Sequence, residues 1–351
     1  MIRLFLLVSL LWLAVGPRAS ALIIQLDYTY DQADGGNFFG THPAAKASLE
    51  QAAADLSAAI TSSLTAVNQN TFTGSSGGST ATIDWDLFFS NPVTGADVTI
   101  DTFTLAANTV RIYVGMQKLT GSTLGQGGPA FGAIGLGSTG GSPANAMNIA
   151  EAASNTAFSR GGSGPTLITY SGSFAGGYSV SHGALAGTLW FDNDTDNNGT
   201  IDSESILDNF WHFELSPSIE FNQNDFYSVA LHEMLHALGM GTSETWTSLH
   251  SGTTWLGSQA KALNGGSGTN LLASDGDHLR SGLMSQRLSD GTMQEVVMDP
   301  SITTGTRKSL TQMDLAFLRD IGYTTVPEPS VAALLAVAVL GLSGRRKNRS
   351  L

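Results

Sequence analysis

Segment 225–238, DFYSVALHEMLHAL, constrains the fold of this 351-residue chain more than any other stretch. Apolar residues occupy most of its faces, and a helix apolar nearly all round belongs in an interior, with other elements covering every side. Two imidazoles and a carboxylate are carried inside with it, and buried polar groups of this kind need partners. His232 and His236 lie four residues apart on one helical face, where both can reach a single metal ion. Neutral imidazole suits zinc, and with no cysteine in the chain no thiolate competes for that role. Glu233 stands beside the first ligand, placed to act on a zinc-activated water as general base and then to hand the proton to a leaving amine. Gly239 is a natural stop for the helix.

The two ends read differently from the middle. Residues 1–21 place Arg3 before an apolar run over 4–15, then Gly16-Pro17 and the triplet Ala19-Ser20-Ala21. This is the order of a secretory signal peptide cleaved after Ala21. At the other end, Val326-Pro327-Glu328-Pro329-Ser330 leads into an apolar stretch over 331–342 and then Arg345, Arg346, Lys347 and Arg349. The stretch is short for a spanning helix, but the basic cluster behind it is a stop-transfer pattern. Pro-Glu-Pro, apolar helix and basic tail together resemble the PEP-CTERM sorting tail of exported proteins of Gram-negative bacteria. The resemblance implies an exosortase-type enzyme that processes residues 327–351 and transient membrane association through the tail. It also implies a final place in the cell envelope or outside the cell.

Export without cysteine means that core size or bound ions, not disulfides, must hold the fold. The formal charge of −13 argues against a nucleic-acid partner, which needs basic stripes. The 41 glycines favour turns and short strands. Residues 22–326 show no repeat and no long polar linker, and read as one domain. Within it, 22–30, 80–89, 109–114, 167–170 and 183–191 read as strands, 121–141 as a Gly- and Ser-rich loop, and 242–292 as loop-like. Ala45, Leu49, Ala52, Leu56, Ile60 and Leu64 fall at helical spacing behind Pro43, which predicts an amphipathic helix over 43–64. A last amphipathic helix is expected over 309–320.

The longer string HEMLHALG, residues 232–239, resembles the HExxHxxG signature of metzincin-like metallopeptidases. The resemblance implies an α+β, zincin-like domain with a twisted mixed sheet, a long N-terminal helix and an active-site helix. It further implies a secreted zinc endopeptidase that cleaves polypeptides through a zinc-activated water, with Glu233 as general base. In that family the glycine turns the chain so that a third histidine reaches the metal, and a Met-containing turn lies beneath the site. The compact motif has that histidine three residues after the glycine, where this chain has Thr242. The third ligand is therefore expected further on, as in leishmanolysin-like members. His278, in the DGDH segment 275–278, is preferred over His250, which follows a Ser/Thr-rich loop and reads as a surface residue. For the Met-turn, Met298 in VMDP matches the matrixin-like form, with proline two residues after the methionine, and is preferred over Met284 in GLMS. Strand 183–191 fits the family's edge strand, along which an extended substrate pairs through main-chain hydrogen bonds. The departure at Thr242 keeps a second reading open, that of a catalytically weak surface or exopolysaccharide-matrix protein that retains the fold.

Asp192, Asp194, Asp196, Asn198 and Asp202 put oxygen ligands on alternating residues, with Gly199 and Ile201 placed as in an EF-hand or dockerin-like loop. Such hard ligands suit Ca2+. Counted from Asp194, the twelfth position is Ser205, where a bidentate glutamate is expected, and Glu204 comes one residue early. Asp and Asn also make such turns with no ion. His42, His182 and His212 have no partner spacing and receive no role.

Overall fold

The computed structural model describes residues 21–68, 71–173, 176–216 and 218–327. The signal-peptide reading over 1–21 and the sorting-tail reading over 327–351 lie, but for Ala21 and Pro327, outside the described residues. The architecture is mixed α+β with several sheets. The chain begins with β1 (Ile23–Asp27), α1 (Thr29–Asp34), α2 (Phe38–Thr41) and α3 (Pro43–Ala59). Next come β2 (Thr71–Ser76), β3 (Ser79–Ser90), β4 (Asp97–Ile100), β5 (Thr109–Gln117), β6 (Gly125–Pro129) and β7 (Phe131–Thr139), then α4 (Pro143–Phe158). After β8 (Ile168–Gly172), β9 (Tyr178–His182) and β10 (Ala186–Asp192), the elements are α5 (Glu204–Phe210), α6 (Phe226–Ala237), α7 (Glu244–Ser248), α8 (Ser258–Leu263) and α9 (Gln312–Asp320).

The run TVRIYVGMQ of β5 is buried at seven of its nine positions, as in a strand covered on both sides. It lies inside the main sheet, whose order is β1-β5-β10-β6; β1 and β10 run parallel to it, and β6 runs antiparallel to β10. Alternation along β5 divides the interior in two. Val110, Ile112, Val114 and Met116 join a core with α3, α6 and α9, whereas Tyr113 joins a second core with Ile83, Trp85 and Leu87 of β3 and Met147 and Phe158 of α4. The twelve-residue β3, buried at every second position, pairs with β2, β4 and β7 in an antiparallel sheet over that second core.

Several expectations need correction. The first strand ends at Asp27, whose carboxylate accepts the Thr29 amide at 3.0 Å and starts α1. The helix expected over 43–64 ends at Ala59, because Ile60 turns extended and bridges to Thr325; all six apolar positions are nonetheless buried. Segment 121–141 is not a loop but carries β6 and β7. Strand 183–191 is not an edge: β10 lies between β5 and β6, and the outer place belongs to β6. Segment 242–292 is mostly irregular but includes α7 and α8. The sixteen-residue α4 is also new. Its buried stripe of Ala146, Ala150, Ser154 and Phe158 is helical in period but made mostly of small residues, so it carries little apolar signal.

Helix α6 packs against α3, β6 and β10. Phe226, Leu231, Met234 and Leu235 are fully buried, and each such side chain stabilises the fold by about 1.5–3 kcal/mol. Asp225 caps the helix through the Ser228 amide at 3.1 Å. The Asp225 carboxylate is itself completely buried and is gripped by both Arg307 Nε and Nη2. At the other end Tyr323 donates its hydroxyl hydrogen bond to the Leu238 carbonyl at 3.0 Å. The helix is thus tied at both ends. Among the described residues, no helix is long and apolar enough to cross a membrane.

Candidate metal centre

The fold brings His232, His236 and His278 together. The Nε2 atom of His236 lies 3.2 Å from that of His232 and 3.3 Å from that of His278. Each ring is fixed from behind through Nδ1. His232 faces the Val297 carbonyl at 2.8 Å, His236 the Met240 carbonyl at 2.8 Å, and His278 the Asp275 carboxylate at 2.9 Å. All three partners only accept, so Nδ1 carries a proton in each ring and Nε2 is the atom turned inward, its lone pair free when the ring is neutral. Burial, reinforced by the neighbouring imidazoles, holds His232 well below the usual imidazole range, and burial brings His236 down to about 4. Neutral rings whose lone pairs converge at these distances repel one another unless a cation lies between them. A tetrahedral Zn2+ with bonds of 2.0–2.1 Å would separate its nitrogens by about 3.3 Å. The donor set therefore fits a metal ion.

Local sequence explains how the third imidazole arrives. Gly239, with φ of 106°, ends α6. At Gly241, with φ of 75°, any side chain would strike the Asp277 carbonyl at 2.3 Å, so glycine lets segment 275–278 close on the helix end. Trp246, packed in the core against the tilted rings of Trp255 and Phe317, donates its indole N–H to Gly276 O at 2.8 Å and pins the same segment. Asp275 takes the amides of Asp277 and His278 as well as the imidazole. Burial alone would raise the Asp275 carboxyl, but these bonds hold it below its usual range. Thr242, where the compact motif has histidine, donates its hydroxyl to His236 O at 2.6 Å and so caps the helix end. His250 stands apart and bonds Gly252 O.

Segment 296–299 links the parts. The Val297 carbonyl orients His232, the Met298 carbonyl accepts the Leu279 amide beside His278 at 2.8 Å, and the Val297 amide is bound by Asp314 at the start of α9. Met298 is fully buried, whereas Met284 is 47% exposed in a small hairpin. Glu233 is buried beside the cluster, and burial pushes its carboxyl up to about 8 against the opposing pull of the Gly127 amide.

A cleft of about 860 Å³ opens over the three imidazoles. Leu124–Gly127 form one wall, Val229 and Glu233 of α6 lie behind, and Val297, Pro300 and Ile302 line the far side with Lys308. Glycine makes that first wall possible: a Cβ on Gly127 would lie 2.2 Å from the Glu233 carbonyl oxygen, and one on Gly125 would press on Glu233 and Val229 at 3.1 Å. β6 is thus without side chains at Gly125 and Gly127, where it lies directly on the helix. Sequence reading missed β6, Asp275 and Arg307. The i, i+3 spacing of Asp275 and His278 was the available signal for the second; β6 offered none beyond alternating glycines.

Of the five residues read as a calcium loop, Asp194, Asp196 and Asp202 bring carboxylate oxygens within 4.8 Å of one another. Asp192 instead accepts the Leu119 and Asp194 amides, and the Asn198 side chain is engaged with Asp196 and Thr200. His182 and His212 are buried away from the cleft, His182 taking the Gly132 amide on Nδ1. No protein-family model, curated protein or solved structure matches the chain.

Proposed function

We propose that this protein is a secreted, zinc-dependent endopeptidase of the metzincin-like type. The observation that carries the reading is the convergence of three imidazole lone pairs beside a buried carboxylate, in a cleft walled by a glycine-rich outer strand. His232, His236 and His278 would hold the ion. When bound there, zinc lowers the pKa of water to about 7 and polarises a carbonyl.

Glu233 then takes the proton of the attacking water and passes it to the leaving amine nitrogen. Burial strengthens its hold on that proton between the two steps, since a proton affinity near operating pH serves both directions of transfer. β6 has no strand partner on its outer side among the described residues. An extended polypeptide could pair there, with no side chain to keep its backbone from Glu233. Met298 serves as the turn methionine under this reading. Thr242 favours the alternative of a poorly cutting matrix protein, but His278 offsets that departure by bringing a third imidazole from elsewhere. The terminal sequences support export from a Gram-negative bacterium to the envelope or beyond, with an exosortase-type enzyme acting on the tail.

The test is hydrolysis of an unfolded protein by zinc-loaded wild type and Glu233→Gln. The variant should keep its zinc and lose about 10²–10⁴-fold in rate. Undiminished hydrolysis would remove Glu233 from the mechanism.

A further inference from the structure

The loop between β10 and α5 carries a second cluster of ligands unrelated to the histidines. Asp194, Asp196 and Asp202 each direct a carboxylate oxygen into one volume, all within 4.8 Å of one another. Two of them are interior residues: Asp194 is 4% exposed and Asp202 8%. Among the described residues none of the three has an ion-pair partner. Three negative groups held this close repel, and a cation between them reverses the sign of that interaction.

The further observation that points to a ligand is Asp202 itself. Its Oδ2 accepts the Thr195 amide at 2.7 Å and the Thr195 hydroxyl at 2.6 Å, but its Oδ1 is buried with no hydrogen-bond partner. A buried carboxylate oxygen left without a donor keeps its desolvation penalty, and a bound cation removes it. Asn193 Oδ1, on the neighbouring residue, is buried without a partner as well. All the offered atoms are hard oxygens, the set that calcium takes in flexible geometry; magnesium demands a tighter octahedron.

We propose that Asp194, Asp196 and Asp202 bind one Ca2+, and that this ion braces the wall of the cleft. Among the hydrogen bonds that join the loop to the segment leading into β6, four are made through side chains. Gly121 N donates to Asn197 Oδ1 at 2.7 Å, Asn197 Nδ2 to Gly121 O at 3.0 Å, Lys118 Nζ to Gly199 O at 2.9 Å, and Leu119 N to Asp192 Oδ1 at 3.0 Å. Four residues after Gly121, β6 begins and the cleft wall with it. Ordering the loop therefore orders the strand on which the substrate would lie, in a chain with no disulfide to do so.

Calorimetric titration of the purified, zinc-loaded protein with Ca2+ and, separately, Mg2+ tests this, with total metal content measured after equilibration. Wild type should take up one Ca2+ per chain, with Mg2+ at least ten-fold weaker. Asp202→Asn should weaken Ca2+ binding at least ten-fold with zinc content unchanged. Protection of the 118–124 segment from limited proteolysis should rise with Ca2+ in wild type and not in the variant. No Ca2+ uptake by wild type at millimolar concentration, or undiminished uptake by Asp202→Asn, would overturn the proposal. Should the variant fail to fold, the wild-type titration and proteolysis decide alone. Zinc content and peptide hydrolysis report on the peptidase reading separately, so either proposal can fail without the other.

Discussion

His182 and the histidine cluster are both buried imidazole environments, one beside each of the two cores, and they differ in the direction of a hydrogen bond. His182 Nδ1 accepts from the Gly132 amide at 3.0 Å, and its ring rests on Phe158 at 4.7 Å between centroids. Its Nδ1 lone pair is spent on a backbone donor. The Nδ1 atoms of His232, His236 and His278 face acceptors, so their free lone pairs are those of Nε2, and these converge. Burial alone does not mark an imidazole as a ligand; the partner behind the ring does.

The comparison can be broken first on the ligand side. Arg307→Ala strips the cation from Asp225, the fully buried cap of the helix that carries His232 and His236. Leaving that charge unpaired should cost about 3–5 kcal/mol in urea unfolding. A loss below about 1 kcal/mol would mean that the pair does not hold the helix.

On the other side, burial lowers His182 to about 4. Its folded pKa lies below the unfolded value of about 6.5, so the folded state disfavours the proton. The His182 contribution is therefore intact above pH 6.5 and is lost as pH falls toward 4, by about 3 kcal/mol. His182→Asn, which can still accept the Gly132 amide, should flatten the stability profile in that window by this amount. Parallel profiles for the two proteins would contradict it.

A smaller and sharper effect concerns Asp275, the one charged group behind a cluster ring. Asp275→Asn should weaken zinc binding about 10–100-fold, or about 1.4–2.7 kcal/mol, through poorer orientation and basicity of His278. His182→Asn should leave zinc affinity unchanged. Equal effects of the two substitutions on affinity would erase the distinction between the two environments.

How much of this was legible beforehand follows from what is local. The ends of α6, from the Asp225 cap to Gly239, are written within fifteen residues, and so is the pairing of His232 with His236. The core faces of α3, β3 and β5 follow from periodicity. β6 was hidden because glycine gives no strand signal, and glycine is there for a reason outside the strand, the approach of α6. The edge position could not be read at all, since strand order is a property of the assembled sheet; β10 has the stronger strand sequence and lies inside it. His278 was reached only through family resemblance. Its approach depends on Gly241, Trp246 and the Met298 carbonyl acting together, and no spacing rule encodes that.

The central claim is that three imidazoles from two distant segments form one metal site. It is tested most directly by the zinc content of purified wild type, His278→Ala and His182→Asn after dialysis against metal-free buffer. The account predicts one zinc per chain in wild type and in His182→Asn, and loss of that zinc in His278→Ala. Stoichiometric zinc in His278→Ala, or none in wild type, would contradict it.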